Sequence, residues 1–329
     1  MTYQIEWYEN SYFEEWDTFI YERAVNGTFL QTRKFLSYHP KDRFRDCSVI
    51  VKRKGMIVAV CPACESFENG TKVFMSHGGS TYGGLIISSS IYKIEKMIQL
   101  IRDMENFLKS AGFFKIIYKQ TTDLLSQTKN DLLNFCMQYE GYKEEQELNL
   151  YIDLERYAEP IIDHLDQGRR RWIKKCLVRG MRLKELRTEG EYKRFHEILS
   201  LNLKKYGLSP VHTVDELMLL KNLLKEEVRL FGVEFDGMMA AGTMVFCFEK
   251  VRCLHTHYLA ADPGLEKYSP MSFVYYSMID HAIRHGYKRI SWGIATDHEG
   301  NVNWNLCRTK ESYGSQHEIN RRFVKRLEG

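Results

Sequence analysis

Leu230-Phe-Gly-Val-Glu-Phe-Asp-Gly-Met-Met-Ala-Ala-Gly-Thr-Met-Val-Phe246 is the stretch that decides the fold. Two apolar runs meet at Asp236-Gly237, a dipeptide that accepts the positive φ of a tight hairpin turn. The stretch therefore predicts a hairpin of strands over 228–235 and 238–248. A strand over 251–261 follows, then a helix over 269–285 with Pro270 in its first turn. A strand over 288–293 and a short helix near 304–312 come next, and 321–325 reads as a closing strand. A hairpin feeding a strand that reaches a parallel partner through a right-handed crossover helix makes a mixed α/β sheet.

Upstream of the hairpin the pattern predicts a helix over 189–206, a loop over 207–213 and a helix over 214–225. Before these, Pro160 opens a helix carrying Ile161, Ile162, Leu165, Trp172, Ile173 and Cys176. The joint between two domains is placed just ahead of it, giving domains 1–158 and 159–329. The first domain shows a similar order. A strand near 3–7 and a helix over 11–25 lead to a hairpin within 47–65 that turns at Lys52-Arg-Lys-Gly55. A strand over 73–76 runs into the glycine-rich loop His77-Gly-Gly-Ser-Thr-Tyr-Gly-Gly84. A helix over 91–111 puts Ile94, Met97, Ile98, Ile101, Met104 and Leu108 on one stripe. Strand 113–119, helix 123–138 and strand 147–153 complete the half. The halves share element order and no evident residue-level identity.

At 329 residues the chain has room for two domains, and its 44% hydrophobic and 13% aromatic content supports a core in each. A net charge of +4 excludes a strongly basic nucleic-acid binder by bulk charge, so no DNA partner is expected, while a local basic groove stays open. The 8 cysteines lie scattered in apolar stretches and read as buried thiols of a reducing compartment. Cys61 and Cys64 have C-x-x-C spacing, but no second pair or nearby His completes a zinc set, so no metal is expected. The opening Met1-Thr-Tyr-Gln-Ile-Glu-Trp7 has neither a basic n-region nor an apolar h-region. No apolar run nears the roughly 18–20 residues that cross a bilayer. The expectation is a soluble, cytoplasmic protein without a membrane span.

Over 165–314 an ordered series resembles the Fem-like branch of the GNAT-superfamily acyltransferases. Leu165-Asp-Gln-Gly-Arg-Arg-Arg-Trp-Ile-Lys-Lys-Cys176 is similar to the basic linker helix that introduces their second domain. The hairpin quoted above is similar to their "lF…dG…aAG…vf" pattern. His257-Tyr-Leu-Ala-Ala261, Ser269-Pro-Met271, Ala282-Ile-Arg-His-Gly-Tyr287, Ser291-Trp-Gly-Ile-Ala-Thr296 and the closing box Thr309-Lys-Glu-Ser-Tyr-Gly314 follow in the family's order. Phe29-Leu-Gln-Thr32 and the loop ending at Gly84 add to the likeness. The resemblance implies two tandem GNAT-like (acyl-CoA N-acyltransferase) domains and an enzyme that acylates an amine.

Several departures shape the expected substrate. Thr309 stands where the family box starts with an aromatic residue, and no long helical arm is inserted. Lys205-Tyr-Gly-Leu-Ser-Pro-Val-His-Thr213 lacks the arginines expected of a peptidoglycan-precursor enzyme. The acetyl-CoA loop of ordinary GNATs is replaced by Asp262-Pro-Gly-Leu-Glu-Lys-Tyr-Ser-Pro270, with a single glycine. The expected acceptor is an amino sugar of a nucleotide- or lipid-linked cell-surface polysaccharide precursor, with acyl-CoA as co-substrate and no bound cofactor. Two other readings stand beside it: an aminoacyl-tRNA-dependent transferase acting on a peptidoglycan precursor, with tRNA as partner, and a non-catalytic GNAT-fold binding protein. A homodimer is compatible with the sequence.

Lys310 occupies the place where the Fem family keeps a lysine that acts on transition-state charge. His255 and His257 lie two apart on a strand and point to one face. An imidazole titrates near neutrality, so either is a candidate for taking the acceptor's proton. Equally, both can be satisfied partners within a half-buried sheet face. Lys267 and Ser269 flank a helix start and are candidates for donor phosphates, beside the plainer reading of a capped helix. Arg170 and Lys174 are the candidates drawn from the basic run Arg169, Arg170, Arg171, Lys174, Lys175 and Arg179. Helical spacing spreads that run over more than one face, so part of it is simply solvated. Tyr82 of the glycine loop and Tyr313 of the closing box complete the set, with Glu311 a weaker neighbour and His39 and His212 read as structural.

Overall fold

Two units carry the chain: Met1–Glu147 with Ile319–Gly329, and Leu148–Glu318. The computed structural model describes residues 3–157, 159–205, 207–297 and 300–327. The first unit contains β1 (Gln4–Trp7), α1 (Phe13–Glu22), α2 (Arg33–Leu36), β2 (Arg45–Asp46), β3 (Val49–Arg53), β4 (Met56–Cys61), β5 (Ala63–Glu68), β6 (Thr71–Ser76), β7 (Ile86–Ile87), α3 (Ile94–Ser110), β8 (Lys115–Lys119) and α4 (Asp131–Tyr139). One sheet has the order β1-β3-β4-β7. In the other, β2 pairs with β5, β5 with β6, and β6 runs parallel to β8. Pro62 marks the switch between sheets. It has no N–H to give a ladder, and it falls between the end of β4 and the start of β5. The stripe on α3 lies over the sheet, with Met97, Ile101, Met104 and Leu108, joined by Leu100, buried against Phe74, Phe113, Ile116 and Tyr118. Ile94, expected on the stripe, is exposed at the helix start.

The chain enters the second unit within β9 (Lys143–Asp153). There follow α5 (Gln167–Val178), β10 (Arg182–Leu186), α6 (Glu189–Lys204), α7 (Val214–Leu223), β11 (Val228–Phe235), β12 (Met238–Phe248), β13 (Cys253–Ala261), α8 (Pro270–Arg284), β14 (Arg289–Ile294) and α9 (Trp304–Glu311). The chain leaves the unit within β15 (Gln316–Arg326), whose later residues pair with β8. The strand order is β10-β11-β12-β13-β14-β9. Only β13 and β14 pair in parallel among these strands, joined by the crossover helix α8. The hairpin turn adopts positive φ at both Asp236 (52°) and Gly237 (71°), as its dipeptide requires. Phe273, Val274, Met278, Ile279 and Ala282 bury α8 on one face of the sheet, beside Ile173 and Cys176 of α5.

Four expectations change. The helix expected from Pro160 is a short 3-10 turn, Ile161–His164, and α5 starts only at Gln167. Arg170 accounts for this break: its guanidinium donates to the carbonyls of Asp163 (2.8 Å) in the turn and Leu165 (2.6 Å) just after it. The helix expected over 123–138 is a 3-10 turn, Asp123–Leu125, followed by α4. Between them the Asn130 amide ties Thr121, Asp123 and Ser126 into a loop, offering the backbone an alternative to helix. The apolar run to Glu65 breaks at Pro62, so that β5 forms a separate hairpin with β6, the strand expected over 73–76, and β10 is present where no strand was expected. Finally, the units divide at 147/148 and the last residues join the first unit, whereas the sequence placed the joint at 158/159 and left the C-terminus with the second. The expected helix end at Tyr206 lies outside the described residues.

Candidate active site

The site is built where β13 and β14 part. Their parallel pairing covers Cys253↔Arg289, Leu254↔Ile290 and His255↔Ser291, and goes no further. Both strands change pleat at this level. On β13 the register against β12 shifts, pairing Val245 with Thr256 and Met244 with Tyr258, so that His257 bulges. On β14 the register against β9 shifts between Ser291 and Gly293, and Gly293 takes φ +78°. A left-handed residue at this point favours glycine. The strands thus separate with backbone groups no longer committed to each other.

Three side chains converge on the parting. His255 is buried, its Nδ1 lying 3.0 Å from Ser291 Oγ. Burial, with Lys310 nearby, pushes its pKa down to about 4. Lys310 reaches in from the last turn of α9 and is 3% exposed. Its Nζ donates to Gly293 O (2.9 Å) and Ile294 O (2.7 Å), and burial pushes its pKa down to about 7. His257 stacks on Phe246 (centroids 4.5 Å apart) beside Tyr258, with Nε2 shielded from solvent and lacking a hydrogen-bond partner. Burial, then His212 and His255, lowers its pKa well below the usual imidazole value. His212, expected to be structural, binds Tyr258 Oη through Nδ1 at 2.6 Å and faces His257. Within the closing box Lys310 and Tyr313 are packed, while Glu311 and Gly314 are exposed. Tyr313 is buried and stacked on Tyr275 (4.4 Å), and Gly314 takes φ +81° with Tyr157 packed where a Cβ would point.

The start of α8 faces the same level of the sheet. Ser269 has a left-handed backbone (φ 59°) and its Oγ lies 2.9 Å from Ser272 Oγ. Arg169 of α5 donates to Ser272 Oγ (3.3 Å) and Ser312 Oγ (2.8 Å), and its guanidinium lies 5.2 Å from the Tyr313 ring centroid. A helix N-terminus with two hydroxyls and a guanidinium suits an anion by charge and by hydrogen-bonding capacity. Sequence reasoning chose Arg170 and Lys174 instead. Arg170 holds the 163–165 link, and Lys174 is exposed on α5. The signal was present in the helical spacing: Arg169 precedes the buried Ile173 by four residues and the buried Cys176 by seven, so it shares their face. Lys267 is exposed, its ammonium 5.1 Å from the Tyr268 ring centroid.

Tyr82 belongs to the first unit and is buried there, its hydroxyl accepting from Asn320 Nδ2 at 3.3 Å. Its glycine loop fills the corresponding gap in that unit. Beyond Met75↔Ile117 the parallel pair β6/β8 is continued by Gly83, whose N–H donates to Lys119 O at 2.7 Å. A Cβ on Gly83 would meet Ser76 Cβ at 2.9 Å, so only glycine allows this close insertion. Cys61 and Cys64 are buried thiols whose pKa values burial raises. Among the described residues the metal-ligating side chains that group are Cys307, Glu311 and His317, with ligand atoms within 4.8 Å of one another.

Residues 167–300 match the family model of the acetyltransferase (GNAT) domain. No curated protein matches the chain. The fold is the tandem GNAT fold seen in several solved structures. FemX is similar over 98% of this chain and 97% of its own, with a TM-score of 0.71 at 12% identity. The L-PGS structure from Bacillus licheniformis is similar over 95% and 91%, with a TM-score of 0.63 at 11% identity. A tandem GNAT protein from the clavulanic acid biosynthesis pathway is similar over 100% and 99%, with a TM-score of 0.59 at 10% identity. No helix among the described residues is long and apolar enough to cross a membrane.

Proposed function

We propose that this chain, with an acetyltransferase domain on a Fem-like tandem GNAT fold, transfers an acyl group from a thioester to an amine, with acyl-CoA as the favoured donor. The observation that carries this reading is the parting of β13 and β14 at His255↔Ser291 beside the start of α8. Released backbone N–H groups suit an acyl carbonyl that becomes an oxyanion. The helix start with Arg169, Ser269 and Ser272 suits the donor's phosphates. Lys310 and the two histidines lie at the same level, where a neutral amine would attack and lose its proton. The favoured acceptor is an amino sugar in a nucleotide- or lipid-linked cell-surface polysaccharide precursor, which agrees with an arginine-free 205–213 segment. The exposed basic residues of α5, Arg171, Lys174, Lys175 and Arg179, favour the second reading, an aminoacyl-tRNA donor.

Thermal unfolding with acetyl-CoA, longer acyl-CoAs and aminoacyl-tRNA tests both. A ligand at about 100 times its Kd adds roughly 2.7 kcal/mol, which for units of this size raises Tm by about 5–10 °C. The expected result is a shift with an acyl-CoA. A shift with aminoacyl-tRNA alone, steeply reduced by salt, would transfer the reading to tRNA. Silence from every donor would leave a GNAT-fold binding protein. Arg169→Met is expected to weaken acyl-CoA binding about ten- to hundredfold, the scale of one charge-assisted hydrogen bond. Arg170→Met is expected to lower Tm while leaving the donor-induced shift intact, because its bonds go to the 163–165 link. Equal loss of donor affinity in both would refute this division of roles.

A further inference from the structure

A buried chain of hydrogen bonds runs behind His255, made of residues outside the candidate set read from the sequence. Ser291 is buried beside it, and Asn149 of β9 is fully buried next in line. Ser291 Oγ donates to Asn149 Oδ1 (3.2 Å), and Asn149 Nδ2 donates to Glu318 Oε2 (3.4 Å). Donor and acceptor logic gives the chain one direction. A carboxylate only accepts, so Glu318 turns the NH2 side of Asn149 toward itself and leaves Oδ1 facing Ser291. Ser291 has a single proton, and it goes to that Oδ1. The Ser291 oxygen is then left to accept, and it takes the N–H of Gly293 at 3.3 Å. Its remaining neighbour is His255 Nδ1 at 3.0 Å, which must therefore carry the proton. The ring's other nitrogen, Nε2, is left with the lone pair. It is bonded to Cε1, the atom that a Cβ on Gly293 would approach to 3.7 Å, and Gly293 lies just past the last parallel pair of the two strands.

From this geometry we infer that Glu318, Asn149 and Ser291 are positioning residues that lock His255 in the Nδ1–H tautomer and make Nε2 the proton acceptor for the incoming amine. The inference rests on the acyl-transfer reading. In the step itself the amine nitrogen bonds to the thioester carbonyl carbon and the C–S bond breaks. One proton leaves that nitrogen for His255 Nε2 and passes on to the departing thiolate. A second-layer group that fixes an imidazole's tautomer acts through orientation and need not touch substrate.

The test starts with NMR of 15N-histidine-labelled, substrate-free protein at about pH 7.5, well above the lowered pKa of His255. The His255 signal is identified by its loss in His255→Gln. Two-bond nitrogen–carbon-proton correlations distinguish the tautomers. A protonated Nδ1 and bare Nε2 is the expected result, and the reverse would overturn the inference. In Asn149→Leu the Ser291 hydroxyl is free to turn and donate to Nδ1, so the signal should move toward the Nε2–H form, as in Ser291→Ala. With acyl-CoA and an amine acceptor, both should lose about 10–100-fold in kcat at unchanged KM for acyl-CoA, while Ser291→Thr retains both tautomer and rate. Wild-type kcat in Asn149→Leu would also overturn the inference. Because the tautomer is read without substrate, failure of every donor in the melting experiment removes the acyl-transfer reading without deciding the tautomer.

Discussion

Lys310→Met leaves the protein folded and reduces acyl transfer by at least about a hundredfold. The expectation follows from what the lysine costs. Its ammonium is buried, and burial pulls the pKa from 10.5 to about 7. The folded pKa lies below the unfolded one, so between about pH 7 and 10.5 the unfolded chain holds the proton that the folded chain has released. Stability therefore rises with pH through that window, and below it the burial penalty stands in full, on the order of 5 kcal/mol. Two hydrogen bonds to Gly293 O and Ile294 O offset part of it. Methionine fills similar volume without the charge, so the variant should melt no lower than wild type at about pH 6. The wild-type gain in Tm between about pH 6 and 9, relative to the variant, should be absent from it. A lysine buried at such a cost beside the parted strands is a candidate for meeting developing charge. A variant that melts several degrees lower at about pH 6 and turns over normally would make Lys310 a structural strut and remove it from the mechanism.

Gly242→Val is the largest expected loss of stability. Gly242 sits in β12 opposite Gly232 of β11 and Ala260 of β13. A Cβ there would lie 2.8 Å from Phe195 Cδ2 and 2.9 Å from the Phe231 carbonyl oxygen. Phe195 is fully buried in α6, and the carbonyl belongs to the paired strand, so neither gives way cheaply. Overpacking at such a point costs about 3 kcal/mol or more, and Tm should fall by roughly 6–12 °C. Gly168→Ala is the control. It lies in α5 with open space around it, where a methyl group should raise stability by up to about 1 kcal/mol. A Gly242→Val protein that melts with wild type would mean that α6 does not rest on the sheet as described.

The Ala-Ala-Gly of the hairpin motif was legible as a pattern before its reason was. The glycine lets Phe195 of α6 approach β12, and that reason needs the helix in place. The same contrast runs through the site. Lys310 was chosen as a candidate from its box, and His255 and His257 from their spacing on one strand. Arg169 was passed over for its neighbours, although its four- and seven-residue offsets from Ile173 and Cys176 placed it on the buried face of α5. Ser291 lay in a motif that assigned it no role, and Asn149 and Glu318 carried no local signal. They are polar residues on separate segments whose partners are 142 and 169 positions away.

What the sequence determined by itself is local in origin. Asp236-Gly237 sets the hairpin, the 3.6-residue stripes set α3 and α8, and Pro270 starts the crossover helix. Together they specify a mixed α/β sheet repeated along the chain. Tertiary structure alone decided where the units divide, because β9 and β15 each run through a boundary that no composition change marks. It also decided which polar residues form the site. Hydrogen-bond partners, burial and the pKa shifts they cause depend on distances between segments far apart in sequence, and those distances exist only after the strands have paired.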